Sequence, residues 1–388
     1  MLPSDTTISV LHISSTWLHQ TQTWLYNTIS HLPKKVSTHI ACRFTKNLDQ
    51  FQLDHIHSLS NENWIQKGLF GLQSLILGKP LFRYIYIRHV AKMTKCQIIH
   101  SHFGDSAVKD MEICQKLNLP QVVTFYGYDV NKAPKEKPHL LDKYHRLFHT
   151  AHAVICEGPH MAKCIQNLGC PKEKLHVQKI GIPLPQFPFS PLPWKSNTPL
   201  KIILSGTFTE KKGFPIAIDA LAKLKNRIPF MATLVGDGTG NEKELILYKI
   251  KKHGLQSHIT LTGYVPYTTL YDLAKTHHIC LSPSITAKSG DTEGGAPITL
   301  LEMAALGLLI VSSTHCDIPT LFTHQHNALL APENDSDILA DHLLWLASHK
   351  EQWASLQNNA RHLVETEHNV ILQAQKQAEL YNKLLKNI

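Results

Sequence analysis

No run of apolar residues in this 388-residue chain approaches the roughly 20 that a membrane-spanning helix needs. The start, Met1-Leu2-Pro3-Ser4-Asp5, lacks a basic cluster, an apolar block and a small-residue cleavage site, so a secretory signal is not expected. Cysteine is sparse: eight residues, no CxxC pair, and no zinc-like spacing around the closest two, Cys164 and Cys170. A disulfide scaffold and a zinc ribbon are thereby excluded, and reduced thiols in a cytoplasmic protein are the expectation. The 26 histidines include no HExxH and are expected mostly at the surface or in packing. No internal repeat and no low-complexity tract interrupts the chain.

What is present is a well-supplied core and an uneven charge. Apolar residues make up 43% of the chain, enough for two full domains at this length. Residues 1–190 hold 21 Lys and Arg against 12 Asp and Glu, whereas residues 191–388 hold 18 of each. The whole net charge of +9 therefore lies in the first half. Such asymmetry points to an anionic partner for that half. The first half has no recognition-helix pattern and no aromatic stacking motif, so nucleic acid is not that partner.

The periodicity alternates between strand and helix, the pattern of parallel βαβ units. In the first half, strands are expected at 7–15, 36–43, 97–101, 121–126 and 152–156. Helical spacing runs through Trp17, Leu18, Trp24, Leu25, Ile29 and Leu32, and again near 106–117. The proline-rich stretch from Pro183 to Pro199 has neither period and reads as a linker. Strands then recur at 201–206, 232–238, 258–263, 278–284 and 308–313, with helices at 213–225, 241–253, 267–275, 297–306, 336–349, 351–364 and 369–386. The domain boundaries expected are 1–190, 191–368 and a closing helix at 369–388.

The most informative segment is Thr292-Glu293-Gly294-Gly295-Ala296-Pro297-Ile298-Thr299-Leu300-Leu301-Glu302. Two carboxylates bracket a glycine turn and a proline that suits the first turn of a helix. The N–H groups there and the positive end of the helix dipole suit an anion. Glu302, further along the helix, can accept hydrogen bonds from hydroxyls. A phosphate beside glycines and a diol beside a carboxylate suggest a nucleotide or nucleotide-sugar site. A second segment, SGTFTEKKGF at 205–214, ends a strand and sets Lys212 where a pyrophosphate can be met. By contrast GDGTG at 236–240 has the wrong spacing for a dinucleotide fingerprint and reads as a tight turn.

With these segments in view, the second half resembles the family-4 retaining glycosyltransferases. The match runs through SGTFTEKKG, LVGDG, ITLTGYV, CLSPS, DTEGGAPITLLEMAALG and CDIPTLF. The first half matches more loosely, through IIHSHFGD, LPQVVTFYGYDV and the GCP…GIPL run. The resemblance is greatest to members that build bacterial exopolysaccharides of the colanic-acid type. It implies the GT-B fold: two Rossmann-like α/β domains facing each other across a cleft. The first would bind a saccharide or lipid-linked acceptor and the second a nucleotide-sugar donor, with the last helix returning to the first domain. It implies that Lys212 neutralises the donor pyrophosphate and Glu302 holds the ribose hydroxyls. Glu293, with the backbone of Gly294, Gly295, Ala296 and Pro297, would contact sugar or phosphates. Gly206 and Thr207 would form the first phosphate turn, and the turn at Gly263-Tyr264-Val265 would lie near the base. Tyr126, at the position close to the reacting sugar, would be catalytic together with Lys212 and Glu293; His102 and Asp129 would line the acceptor side, Asp129 facing the acceptor or capping the next turn. No cofactor and no metal is expected.

The chain departs from the family pattern at several places. Thr207 replaces an arginine, Tyr126 a histidine and Thr320 a glutamate. The glycine-rich turn of the first domain is absent from Thr16–Thr23, and one extra residue separates Glu293 from Glu302. Other functions on the same framework are a nucleotide-sugar epimerase and a non-catalytic nucleotide-sugar binder. Residues 62–95 add six Lys or Arg to a single acid, Glu62, with Ile65, Leu69, Leu72, Leu75 and Ile76 at helical spacing. Arg88, Lys92 and Lys95 share one face beyond Gly78-Lys79-Pro80. A basic amphipathic stretch of this kind suits an anionic leaflet, placing the protein peripherally on the inner face of the cytoplasmic membrane.

Overall fold

The computed structural model describes residues 7–19, 22–61 and 79–387. The chain forms two compact units: one of residues up to Glu157, Met161–Gly181 and Val370 onward, the other of Gly158–His160 and Ile182–Asn369. Each unit is built on a parallel sheet with helices between most successive strands, as the alternating periodicity requires.

Among the described residues the first sheet has seven strands in the order β3-β2-β1-β4-β5-β6-β7. They are β1 (Ile8–Trp17), β2 (Val36–Thr45), β3 (Ile56–Ser58), β4 (Ile98–His102), β5 (Gln121–Thr124), β6 (Ala153–Cys156) and β7 (Leu175–Val177). The order reverses at β1, which pairs with β2 on one side and β4 on the other. The helix Val370–Lys386 packs on this sheet: Ala378 and Tyr381 join Ile8, Val10, Ile98 and Val122 in one buried cluster.

The second sheet has six strands in the order β10-β9-β8-β11-β12-β13. These are β8 (Leu200–Ser205), β9 (Phe230–Val235), β10 (Ile259–Gly263), β11 (Ile279–Ser282), β12 (Leu309–Ser313) and β13 (Leu329–Ala331). The order reverses at β8 and β11, and ligands of open parallel sheets bind beyond the carboxyl ends of strands at such a point.

Several expectations are corrected. Trp17 closes β1 instead of opening a helix, and the helix begins at Thr23. The helix expected near 106–117 is two pieces, Gly104–Ala107 and Met111–Leu117. The proline-rich stretch 183–199 does not hang free. Its Phe187 packs 4.5 Å, centroid to centroid, from Tyr271, and Trp194 stacks 5.6 Å from Trp353. These two buried rings attach it to the second unit, and the structure changes unit at Gly181/Ile182. Of the basic stretch 62–95, residues 62–78 lie outside the described residues. The helix Lys79–Met93 follows, with Arg88 and Lys92 exposed along it and Lys95 exposed just beyond. No helix among the described residues is long and apolar enough to cross a membrane.

Candidate functional site

In the second unit the loops after β8, β9, β10 and β11 come together. Gly236 N donates to Gly263 O at 2.9 Å, and Phe208 N to Asp237 O at 2.8 Å. A Cβ on Gly236 would lie 1.9 Å from the Gly206 carbonyl oxygen, so the approach of these two turns demands glycine. Thr207 sits on the first turn with the Tyr264 hydroxyl 3.5 Å from its own. The short 3-10 turn Glu210–Lys212 follows and ends at Gly213, which has φ +66°. A Cβ there would strike the Pro283 carbonyl oxygen at 1.9 Å, so this glycine fixes the distance between the Lys212 turn and the β11 loop.

Lys212 Nζ lies 2.9 Å from Glu293 Oε2, and the Ser284 hydroxyl donates to Glu293 Oε1 at 2.9 Å. Burial alone would push the Glu293 carboxyl up, but the charges of Lys212 and Lys211 and the two hydrogen bonds hold it below the usual carboxylate range. Lys211 pairs with Asp291 at 3.2 Å and donates to the Thr292 carbonyl at 2.9 Å. Between Glu293 and Glu302 the chain turns at Gly294, which has φ +80°. Its N–H donates to the Thr292 hydroxyl at 3.1 Å.

A support that no local motif announced stands behind this turn. Glu293 N donates to His315 Nε2 at 3.1 Å, and His315 Nδ1 lies 2.6 Å from Glu333 Oε1. Because Nε2 accepts, His315 carries its proton on Nδ1 and gives it to the carboxylate. Glu333 Oε2 in turn accepts from Thr286 N at 2.8 Å. His315 and Glu333 follow different strands, β12 and β13, so only the fold joins them to Glu293.

Glu302 has separate surroundings. It lies in the helix Ile298–Leu306, which Pro297 precedes as its N-cap, and is 2% exposed. Its Oε1 accepts from Tyr267 at 2.6 Å and from Tyr271 at 3.2 Å. Burial raises its pKa to about 8, so the group is largely protonated at neutral pH. Val265 and Ala296 pack, half-buried, on the same apolar cluster. Glu302 shares none of these partners with Glu293.

In the first unit His102, which ends β4, is brought together with Tyr126 and Asp129, which follow β5. Asp129 is fully buried and caps backbone: its Oδ2 accepts from Gly104 N at 2.7 Å and its Oδ1 from Tyr126 N at 2.9 Å. The structure thus adopts the capping alternative for Asp129, and burial lifts its pKa to about 6. Tyr126 is half-buried, its ring 4.1 Å from that of Trp24 and 4.7 Å from that of Phe103. Its hydroxyl oxygen is 2.7 Å from His102 Nδ1, and His102 Nε2 is 3.0 Å from His12 Nδ1.

His12, His100 and His102 form a buried group with one nitrogen each within 4.8 Å of the others, the one such candidate for a metal among the described residues. The β-sheet explains it: His12 lies opposite His100, and His102 is two residues on, on the same face. Burial keeps all three rings neutral, with His102 lowered to about 3. Their geometry is that of hydrogen bonding. The His12 and His102 rings are within 11° of coplanar alignment with centroids 5.3 Å apart, so the two facing nitrogens lie nearly on the centroid line. Lone pairs aimed at each other do not converge on a third atom. His12 Nε2 has no hydrogen-bond partner among the described residues. A buried N–H without an acceptor is the costlier defect, which places the His12 proton on Nδ1. His102 then carries its proton on Nδ1 toward the Tyr126 oxygen, and the phenol hydrogen is left for another acceptor.

Comparison with known proteins follows the same division. The family model "Glycosyl transferases group 1" matches residues 192–363, and "Glycosyltransferase Family 4" matches residues 21–184. The chain is 31% identical over 288 residues to the amylovoran biosynthesis glycosyltransferase AmsK of Erwinia amylovora, covering 74% of this chain and 70% of that one. It is 29% identical over 286 residues to the putative colanic acid biosynthesis glycosyltransferase WcaL of Escherichia coli, covering 72% and 69%. Among solved structures, HepE of Anabaena in complex with UDP and glucose aligns with a TM-score of 0.78 at 17% identity, covering 97% of this chain and 99% of that one. A glycosyltransferase of Rickettsia africae aligns with the same score at 18% identity, covering 98% and 100%.

Proposed function

Since the chain belongs to the group 1, family 4 glycosyltransferases and has their GT-B fold, we propose that it transfers a sugar, with retention, from a nucleoside diphosphate donor to a saccharide or lipid-linked acceptor of a surface polysaccharide. The observation that carries the donor assignment is the meeting of Lys212 and Glu293 beside the glycine turns after β8, β9 and β11. A diphosphate arriving there finds a cation held in place by a carboxylate beside the Gly294 turn.

In this reading the bond between the sugar C1 and the diphosphate oxygen breaks as negative charge builds on the leaving group. Lys212, with Lys211 beside it, stabilises that charge. The acceptor oxygen bonds to C1 on the same face, and its proton passes to the departing phosphate oxygen. No protein base is required, and the two lysines supply positive charge without a metal at the diphosphate. Glu302 would meet the ribose hydroxyls once Tyr267 gives up its bond to Oε1. Tyr126 would donate to the sugar or acceptor from the first unit. The relatives named above are transferases and lend nothing to the epimerase alternative.

For partners we infer an anionic membrane face. The support is the concentration of net charge in residues 1–190 and the exposed Arg88, Lys92 and Lys95. The protein would then act from the cytoplasm at the inner leaflet.

The deciding experiment is a thermal-shift screen of UDP, GDP, ADP, TDP and their sugars, with wild type beside Glu302→Ala. Binding to the folded state raises the melting temperature by mass action. UDP is expected to shift the wild type and not the variant, since HepE, which shares the fold, binds UDP. Absence of any shift would remove the donor assignment, and a shift without hydrolysis or transfer to any acceptor would favour the non-catalytic alternative.

A further inference from the structure

A carboxylate places a lysine only as well as its own backbone is placed. The turn that carries Glu293 runs on into Gly294 and Gly295, and glycine restrains a chain least of all residues. The restraint comes from beneath. His315 is fully buried and follows β12, and its Nε2 accepts from Glu293 N at 3.1 Å. The Cys316 sulfur lies 3.1 Å from the same nitrogen, and burial pushes that thiol up to about 12, so it stays an S–H donor. Two donors on Nε2 leave the imidazole proton on Nδ1, 2.6 Å from Glu333 Oε1.

Glu333 is itself anchored. Its Oε2 accepts from Thr286 N at 2.8 Å and its Oε1 from the Thr286 hydroxyl at 3.4 Å. Burial pushes this carboxyl up, but the bonds from Thr286 and His315 hold it below the usual carboxylate range. The other end of Glu293 is tied to the same strand end as His315. Ser313, two residues before His315, donates to the Ser284 carbonyl, and the Ser284 hydroxyl donates to Glu293 Oε1 at 2.9 Å. Glu293 is thus held at its peptide and at its carboxylate by residues other than Lys212.

A diphosphate entering the site competes with Glu293 for Lys212. The lysine, 2.9 Å from Glu293 Oε2, has to lean toward the phosphate without drawing the glycine turn after it. A turn fixed at the Glu293 N–H stays behind; an unfixed one follows, and the cation loses its place. We propose, on the footing of the donor assignment above, that His315 and Glu333 are positioning residues for transfer. They fix the Glu293 peptide, and through it the point from which Lys212 meets the donor diphosphate, without touching the donor.

The test compares UDP with UMP on the full chain by calorimetric titration. The two differ by the β-phosphate, so the wild type should prefer UDP by roughly 10–100-fold, the range for one hydrogen bond to a charged group. Lys212→Ala should abolish the preference. Glu333→Gln keeps the size of the side chain and removes its charge. With its oxygen taken by Thr286 N, its amide nitrogen faces His315 Nδ1 and forces the imidazole proton onto Nε2, against Glu293 N–H. This variant and His315→Phe should bind UMP as the wild type does and lose most of the preference for UDP. His315→Gln, whose side-chain oxygen can accept from Glu293 N, should keep the larger part of it. A general loosening of the fold weakens UMP and UDP alike, so the ratio separates positioning from packing. An undiminished preference in Glu333→Gln and His315→Phe overturns the proposal and leaves the donor assignment standing, as does a parallel loss of UMP and UDP. Should His315→Phe fail to fold, Glu333→Gln decides alone, since Glu333 is half-buried and its replacement opens no void. A wild type that binds UDP no better than UMP strikes the donor assignment itself, and the positioning role with it.

Discussion

Glu302 holds its proton in the folded chain at pH values where an unfolded glutamate has released it. Its pKa rises from 4.5 to about 8 through burial. The contribution to stability is therefore whole below about 4.5 and declines as pH rises through 8. Glu302→Gln should flatten that decline, and calorimetric melting between pH 5 and 9 reads it directly. At Lys212 two roles separate. Lys212→Ala should lower transfer by about 10²–10³-fold through loss of the diphosphate's partner. It also strands a buried carboxylate, at a cost on the order of 1–3 kcal/mol. Adding Glu293→Gln should restore the melting temperature and leave the rate low. Recovery of turnover in the double variant would show that Lys212 acts only by neutralising Glu293. Tyr126 offers a third test, since Tyr126→Phe removes the hydroxyl but keeps the contact with Trp24. Transfer is expected to drop with little change in donor affinity, as for a group that acts on the sugar or acceptor; lost donor binding would place Tyr126 elsewhere in the mechanism.

At the scale of elements, hydrogen bonds fix what apolar packing only gathers. Tyr381, on the helix Val370–Lys386, sets its hydroxyl 2.6 Å from His100 Nδ1, inside the sheet. Tyr381→Phe keeps the ring and leaves a buried imidazole nitrogen with a poorer partner, so a loss of about 1–3 kcal/mol is expected in denaturant unfolding. An unchanged midpoint would mean that Gln377, 3.4 Å from the same nitrogen, takes over. The long elements were legible in the sequence because six or more residues display a period. β3, β7 and β13 have three residues each and display none, so they pass as loop. Trp17 was misplaced because its apolar spacing continues into the next helix, whereas pairing with β2 extends the strand to it. The donor segment was legible because its glycines, proline and carboxylates lie in one run. The His315–Glu333 support and the His12–His102 contact were not, because each joins residues from different strands, and local patterns carry no record of which strands adjoin.

On the scale of the whole molecule, the first unit is discontinuous: its sheet comes from residues before Gly181 and part of its covering from Val370–Lys386. Removing residues from 370 onward would uncover Ile8, Val10, Ile98 and Val122, all buried against that helix. The expected result is collapse of the first unit with the second unit's UDP-induced shift retained. Limited proteolysis should then trim the truncated chain to a core starting near Ile182. A first unit that resists protease without the helix would contradict this. The same arrangement sets an order on birth at the ribosome. Residues 182–369 have all emerged before the helix that completes the first unit exists. The second unit can therefore reach its native state first, though it is translated later. Throughout that interval the earlier-made sheet keeps an apolar face open. Chaperone demand, and sensitivity to pauses in translation, should fall on the N-terminal half, even though the codons that relieve it lie at the opposite end of the message.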